Sequence, residues 1–428
     1  MKNQISNTSA SHALGTGVCG VRTPPTPTHT RASFDSSLGT ITKLHVMPTG
    51  QGLEQNDYNS VLNRAEKYSL KYLSCSILNE TVVRKKPCGK EYRSYVHRVN
   101  YCLSRRISKD KDVDVRYNEA RKKAHFGNLQ RCGSVWTCPS CAAQITEGRR
   151  LEVKSGFTNW LNGGGSVYMA TFTNPHHQGD NLPSLLQGQK KAFKKFWEKT
   201  KVVKMFKDLG YKGRIVATEV THGVNGWHPH YHVILFFDHD INAKALQSFL
   251  ALEWQEACRK AGMKIPSLEH GVDVQDGTYA DKYVSKWGLE HEVTKGHVKK
   301  GREGSLTPFD LLRQSEGNPH YQRLFKEYAD AFKGKHQLFW SKGLKKLLEV
   351  DVKTDEELAT ETDKDSVLVD EMDVTIFELV NKYRKHSEVL HAVELDKLDD
   401  GNRYFDLLWS LAEIEADEIR RNMDLSAS

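Results

Sequence analysis

His228-Pro229-His230-Tyr231-His232-Val233-Ile234-Leu235-Phe236-Phe237 is the stretch from which this chain is best read. The apolar half predicts a buried strand. Side chains alternate faces along a strand, so His230 and His232 leave the same face, close enough to share one ion. Imidazole is a common metal ligand, and two on one rigid strand point to a metal-assisted reaction. The plainer reading, in a chain with 19 His, is a surface or structural cluster. Upstream, Arg214-Ile215-Val216-Ala217-Thr218-Glu219-Val220-Thr221 has the same strand character. Gly223-Val224-Asn225-Gly226 between the two runs is a strong turn signal. A hairpin folded about that turn sets Glu219 roughly across from His230. One carboxylate and two imidazoles suit Mg²⁺ or Mn²⁺ with positions left open for a phosphate. An ordinary exposed strand carboxylate is the alternative for Glu219.

Further along, Tyr279, Lys282, Tyr283 and Lys286 fall at i, i+3, i+4 and i+7, one face of a predicted helix. Tyr stripes of this kind usually belong to a core. Lysines are almost never fully buried unless paired, so a mixed Tyr/Lys face suits a polyanion better. A tyrosine can act as a covalent nucleophile, but at neutral pH only about a thousandth of an unperturbed phenol is ionised. A nearby ammonium, best supplied by Lys282, favours the phenolate, and a divalent ion polarises the phosphate under attack.

With these two motifs the chain resembles the HUH endonucleases, specifically the rolling-circle replication initiators of small plasmids and single-stranded-DNA phages. His230-Tyr231-His232 resembles the family's metal motif and Tyr279-x-x-Lys282-Tyr283 its nucleophile motif. Met169-Ala170-Thr171-Phe172-Thr173-Asn174-Pro175-His176-His177 resembles an earlier family motif. The segment from Cys132 to Cys141 and that from Lys333 to Leu344 are similar to the flanking segments of plasmid initiators, so the likeness spans roughly residues 100–350. The resemblance implies a five-stranded antiparallel sheet with the His pair on its central strand. It also implies a site-specific nick in origin DNA, single-stranded or in a hairpin, with Tyr283 linked to the 5′ phosphate and a 3′ hydroxyl left as primer. A second transfer rejoins the strand at termination. Host helicase and polymerase are the expected partners. Some plasmid members carry a Glu one turn before the nucleophile. Tyr279 stands there in this chain, closer to the two-tyrosine phage enzymes. Lys286, one turn beyond Tyr283, is the expected DNA contact. A conjugative relaxase or an HUH transposase would use the same chemistry; a His triad with an N-terminal nucleophile is the relaxase habit. A zinc-containing protein that coats single strands without chemistry is a different class of reading.

The 428 residues carry a net charge of +8, which fits a nucleic-acid partner. Residues 81–131 and 189–214 are rich in Lys and Arg, and the tail after 350 is acidic. Aromatics interleave with cations in Phe193-Lys194-Lys195-Phe196-Trp197 and between His336 and Trp340; such faces stack on unpaired bases, although helix core is the plainer role of Phe193 and Trp197. There is no bilayer-length apolar run and no apolar signal-peptide core at the start, so the expectation is a cytoplasmic protein, without membrane contact, whose thiols stay reduced. Of eight Cys, Cys138-x-x-Cys141 forms half a zinc site, Cys132 offers a third thiolate, and Cys102 by preference, or Cys88, a fourth, with His125 a substitute. Reduced packing thiols are the other reading.

The fold class expected is α+β: the HUH-type antiparallel sheet with flanking helices, a small Cys-rich basic region and a helical C-terminal tail. Residues 1–55 read as a flexible tail rich in Pro, Ser and Thr, and 61–150 as a basic, Cys-rich zinc region, mostly helical. The nickase domain spans 151–300, a basic extension 301–350 and an acidic helical tail 351–428. Strands are expected at 166–173, 214–221, 231–237 and 271–274, with helices at 183–208, at 243–262 and from 278, and the sheet covered on one face. The tail shows two amphipathic patterns, near 371–394 and 403–421.

Overall fold

The computed structural model describes residues 55–277, 304–351, 353–360 and 365–427. The described residues belong to one compact α+β unit. Its centre is an antiparallel five-stranded sheet in the order β8-β5-β7-β6-β9. The strands are β5 (Ser166–Phe172), β6 (Tyr211–Gly223), β7 (Gly226–Phe237), β8 (Val272–Gln275) and β9 (Leu338–Trp340). The strand that carries the His run is therefore central. It is buried on both faces at its C-terminal end, where Val233 through Phe237 are all buried, which is why that half reads as an unbroken apolar run.

Helices cover both faces of this sheet, not one. Helices α3 (Leu182–Trp197), α4 (Thr200–Asp208) and α5 (Ala243–Ala261) bury Phe196, Phe206 and Trp254 against Phe172, Val233 and Phe237. On the opposite face, α2 (Pro139–Asn162) and the short α8 (Leu344–Leu347) pack Phe157, Leu344 and Leu348 on Met169, Ile215, Ile234 and Phe236. The single helix expected at 183–208 is two. Lys199 turns to extended backbone between α3 and α4, and Lys199 and Lys201 then both pair with the buried carboxylate of Glu253. No Gly or Pro marks that break, so it is set by tertiary pairing rather than by local sequence.

The remainder forms a second core. Helix α1 (Gln55–Ile77), the start of α2, α6 (Pro308–Gln314) and α7 (Pro319–Phe332) join it. The basic region is more than helices. It holds an exposed two-stranded ribbon, β1 (Thr81–Lys85) with β2 (Glu91–Tyr95), and the pair β3 (Val113–Asn118) and β4 (Lys123–Phe126). The acidic segment folds back on it. The first amphipathic pattern, near 371–394, is two helices, α10 (Val374–Lys382) and α11 (His386–Asp399), preceded by a strand, β10 (Val367–Met372), which pairs with β3. Arg384, in the left-handed region at φ 56°, makes the corner. Helix α12 (Arg403–Ala427) follows, and the short α9 (Asp355–Thr360) packs on α2. Buried Glu394 of α11 receives Arg64 of α1 through two bonds of 2.6 and 2.9 Å and the Ala124 amide at 2.9 Å. Part of the tail's negative charge is thus structural. Among the described residues, no helix is long and apolar enough to cross a membrane.

His386 shows how this core responds to acid. Its ring lies fully buried beside Tyr68, Phe126 and Phe377. Nε2–H donates to the Leu103 carbonyl at 3.2 Å and Nδ1 accepts from the Tyr72 hydroxyl at 2.6 Å. Burial, and then the charge of Lys71, push its pKa from 6.5 down to about 3. The folded protein holds this ring neutral while the unfolded chain protonates it. Its contribution is complete above about pH 6.5 and falls, by up to about 1.4 kcal/mol per unit, as pH drops toward 3. Urea unfolding at about pH 7.5 and 5.5 should show a larger acid loss for the native protein than for His386→Gln, which keeps one donor and one acceptor. Equal losses would move the effect to other groups.

Candidate metal and nucleic-acid site

The β6–β7 hairpin builds the site. Val224 and Asn225 form its turn, and Gly226 follows at φ 83°, the left-handed region that glycine enters without strain. A Cβ at Gly226 would stand 3.0 Å from both Gln178 Cα and the His177 carbonyl oxygen, so close approach also requires glycine there. The register pairs Glu219 with His230 and Ala217 with His232. On the other side of β7, Thr171 of β5 pairs with His232.

Glu219, His230 and His232 meet on the face covered by α2, beyond the part where α2 and α8 pack. Glu219 Oε2 lies 3.3 Å from His230 Nε2 and 3.2 Å from His232 Nε2, and the two imidazole centres are 4.7 Å apart. His232 is held from behind, its Nδ1 3.0 Å from Thr171 Oγ1. His230 Nδ1 lies 3.3 Å from the His228 carbonyl oxygen. Both rings thus present Nε2 toward the carboxylate. Burial alone would raise the Glu219 carboxyl. The charge of His232 and hydrogen bonds from both imidazoles instead hold it well below the usual carboxylate range.

One ligand atom from each residue lies within 4.8 Å of the others. Ligands on one face of an octahedral ion with bonds of about 2.1 Å stand about 3 Å apart. The distances to Oε2 are close to that, so the donor set fits a hard divalent ion with further positions open. His228, the third His of the run, lies outside the trio. Its ring centre is 5.1 Å from that of His230 and 4.6 Å from that of His176, and burial pushes its pKa down to about 4. The positioning of His232 by Thr171 and the stacking of His176 on His228 were not legible in the sequence. Both depend on the β5–β7 register and on the loop after β5.

Tyr279, Lys282, Tyr283 and Lys286 lie outside the described residues. The chain enters their segment from β8, which only β5 separates from the His strand.

The four thiols named from sequence converge elsewhere. Cys102 follows a short turn at Arg98–Tyr101, and Cys132 lies in the loop after β4. Cys138 caps α2 and Cys141 sits in its first turn. The sulfurs of Cys102 and Cys141 are 3.5 Å apart, those of Cys132 and Cys141 3.7 Å, and those of Cys138 and Cys102 3.6 Å. All four residues are buried. Four sulfurs bound tetrahedrally at about 2.3 Å would stand about 3.8 Å apart, whereas a disulfide needs about 2.05 Å. The cluster therefore fits a tetrahedral zinc. Hydrogen bonds from its three neighbours favour a thiolate at Cys141, while the Cys132 and Cys138 thiols are pushed up. A bound zinc would favour the thiolate form of its ligands. Of the alternative ligands, Cys88 is exposed, and His125 Nε2 lies 3.4 Å from Ser366 Oγ.

An α+β protein whose central hairpin gathers two His and one Glu is consistent with the class implied by the sequence motifs. The family model described as "Replication protein" matches residues 125–389, and the chain belongs to that family. It is 28% identical over 294 residues to "Protein rep" of Streptomyces lividans, covering 52% of this chain and 64% of that one. It is 32% identical over 169 residues to a "Neomycin resistance protein" of Streptomyces cyanogenus, covering 31% and 39%. The chain spans less than two thirds of either relative's length. No solved structure matches it.

Proposed function

We propose that this replication protein initiates plasmid rolling-circle replication by nicking one strand of origin DNA and later rejoining it. The observation that carries the reading is the Glu219–His230–His232 trio on the central hairpin, joined to membership of the replication-protein family. A divalent ion, Mg²⁺ or Mn²⁺, would supply Lewis-acid polarisation of the scissile phosphate. His230, His232 and Glu219 would hold it, with Thr171 fixing the orientation of His232.

Tyr283 Oη attacks phosphorus in line with the departing 3′ oxygen. One O–P bond forms and the P–O3′ bond breaks. The phenol's proton is lost to solvent and the 3′ oxygen takes one up, so the products are a 5′-phosphotyrosine and a 3′ hydroxyl. Lys282 favours the phenolate, and Lys286 contacts the backbone. Tyr279, four positions before Tyr283 in the sequence, takes the second transfer that closes the displaced circle. Cys102, Cys132, Cys138 and Cys141 would hold a structural zinc that ties together the adjoining core. The proposed setting is the cytoplasm, with host helicase and polymerase extending the primer.

Incubation with Mn²⁺ and a single-stranded origin oligonucleotide should give an adduct that survives denaturation, mapped by peptide analysis to Tyr283. Tyr283→Phe removes only the attacking oxygen and should abolish the adduct. Tyr279→Phe should permit it but reduce release of closed circles. Label solely on Tyr279 would reverse the two roles, and label on neither would remove this segment from the mechanism. Tight binding without any adduct would favour the rival reading of a single-strand coat protein.

A further inference from the structure

The two segments in which aromatics and cations interleave, 193–197 and 336–340, come together in the fold. They line a groove of about 580 Å³ on the sheet face opposite the His–Glu trio. One wall is a single face of α3, with Lys190, Phe193, Lys194 and Trp197. The floor is Arg214, Val216 and Thr218 of β6 with Tyr231 of β7, and the far wall is Lys335 through Gln337 with Phe339 of β9. Alternation explains the placement. Tyr231 lies between the two His in sequence and so points away from them, and Thr218 stands in the same relation to Glu219. The groove therefore lies directly behind the trio.

Three features mark it as a site for a ligand with both π faces and negative charge. Phe339, at 55% exposure, is a large aromatic left open at a sheet edge. Arg214 stacks its guanidinium 3.8 Å from the Trp197 ring centre, a planar cation on an aromatic. Among the described residues, Trp197 Nε1, Arg214 Nε and Gln337 Oε1 are buried without a hydrogen-bond partner, a costly state that donors and acceptors on a ligand would relieve. Charge points the same way. The lining carries Lys190, Lys194, Arg214 and Lys335, with His336, against one carboxylate, Glu198, which lies 3.7 Å from Lys194. Burial and then the charge of Lys190 lower the Lys335 pKa, so the two ammoniums feel each other. No described carboxylate pairs with either.

We propose that this groove is an accessory binding site for single-stranded DNA: bases stack on Phe339 and on the Arg214–Trp197 pair, and Lys190 and Lys335 share one phosphate. The proposal rests on the reading of the chain as a protein that handles unpaired DNA. It adds a second contact surface, separated from the proposed nicking centre by the thickness of the sheet, which would retain a flanking stretch of strand.

The test is equilibrium binding of a fluorescent oligothymidylate to the full chain, with no divalent ion added, over a range of salt. Phe339→Ala should weaken binding roughly five- to hundredfold, the range for loss of one stacked base. Phe339→Trp should restore it. Lys190→Ala with Lys335→Ala should weaken binding and make the log–log salt slope shallower by about 0.7, the share of one single-strand phosphate. Unchanged affinity in Phe339→Ala together with an unchanged slope in the double variant would overturn the proposal, provided unfolding shows both variants folded. The two readings fail separately. Absence of a covalent adduct would sink the nicking mechanism while the oligothymidylate result stood, and native-like binding by the groove variants would remove the groove while leaving adduct formation intact.

Discussion

Replacing both histidines, His230→Ala with His232→Ala, should reduce covalent adduct formation by at least about a thousandfold. Loss of a phosphate-polarising cation removes several kcal/mol of transition-state stabilisation, and each 1.36 kcal/mol is a factor of ten. The variant should still bind origin DNA, because affinity comes mainly from lysines and arginines on the phosphate backbone. It should also lose the Mn²⁺ binding expected of the native protein, with calorimetry or magnetic resonance as a readout independent of nicking. Glu219 makes the finer test. Its Oε2 stands 3.3 and 3.2 Å from the two Nε2 atoms. Glu219→Gln retains one oxygen but loses the charge, so it should weaken ion affinity less than the double His variant does. Full adduct formation by the double variant with chelator present would end the assignment. The metal would then belong elsewhere, or the chemistry would run without these residues.

The hairpin was legible because two independent signals agree on it. Alternation fixed which side chains share a face, and the Gly-rich turn put Glu219 roughly across from His230, its partner in the observed register. The four-thiol cluster was only half legible. Cys138-x-x-Cys141 lies within one helical turn, but Cys102 reaches it through a fold that also buries Leu103 and Val99, and no spacing rule encodes that. The fifth strand escaped because three residues, Leu338–Trp340, cannot display a period; it exists because Ile215, Val216 and Ala217 present an unpaired edge. The acidic tail read as two amphipathic helices because its apolar positions recur at helical spacing. Strand β10 precedes the first of them, where β3 offers an edge for it to pair with. The same competition split the helix at Lys199, where a buried carboxylate on α5 outweighs local propensity. Local patterns thus located the chemistry, while the breaks and additions arose from partners distant in sequence.

The two candidate metal sites also differ in what their loss should do. The trio sits on a hairpin of thirteen- and twelve-residue strands backed by a large apolar core, so loss of an ion there should cost chemistry more than stability. The cysteines are a different case. Four buried thiols from three separate stretches pin the turn before β3, the loop after β4 and the N-terminus of α2 to one point. If that point is zinc, it contributes on the order of 10 kcal/mol, comparable with the whole stability of a typical domain. Purified under reducing conditions, the protein should carry about one zinc per chain that survives mild dialysis. Cys138→Ser should lose that zinc and leave the surrounding core, with Trp136, Phe332 and Ile145, open to proteolysis at temperatures where the native protein resists it. Cys88→Ser, which alters an exposed thiol, should retain both zinc and resistance and serves as the control. Elemental analysis reads the first result and limited proteolysis the second. Zinc-free native protein that remains folded would make the cluster a set of packed thiols. Cys138→Ser should then cost only what one imperfectly filled core position costs, about 1–3 kcal/mol.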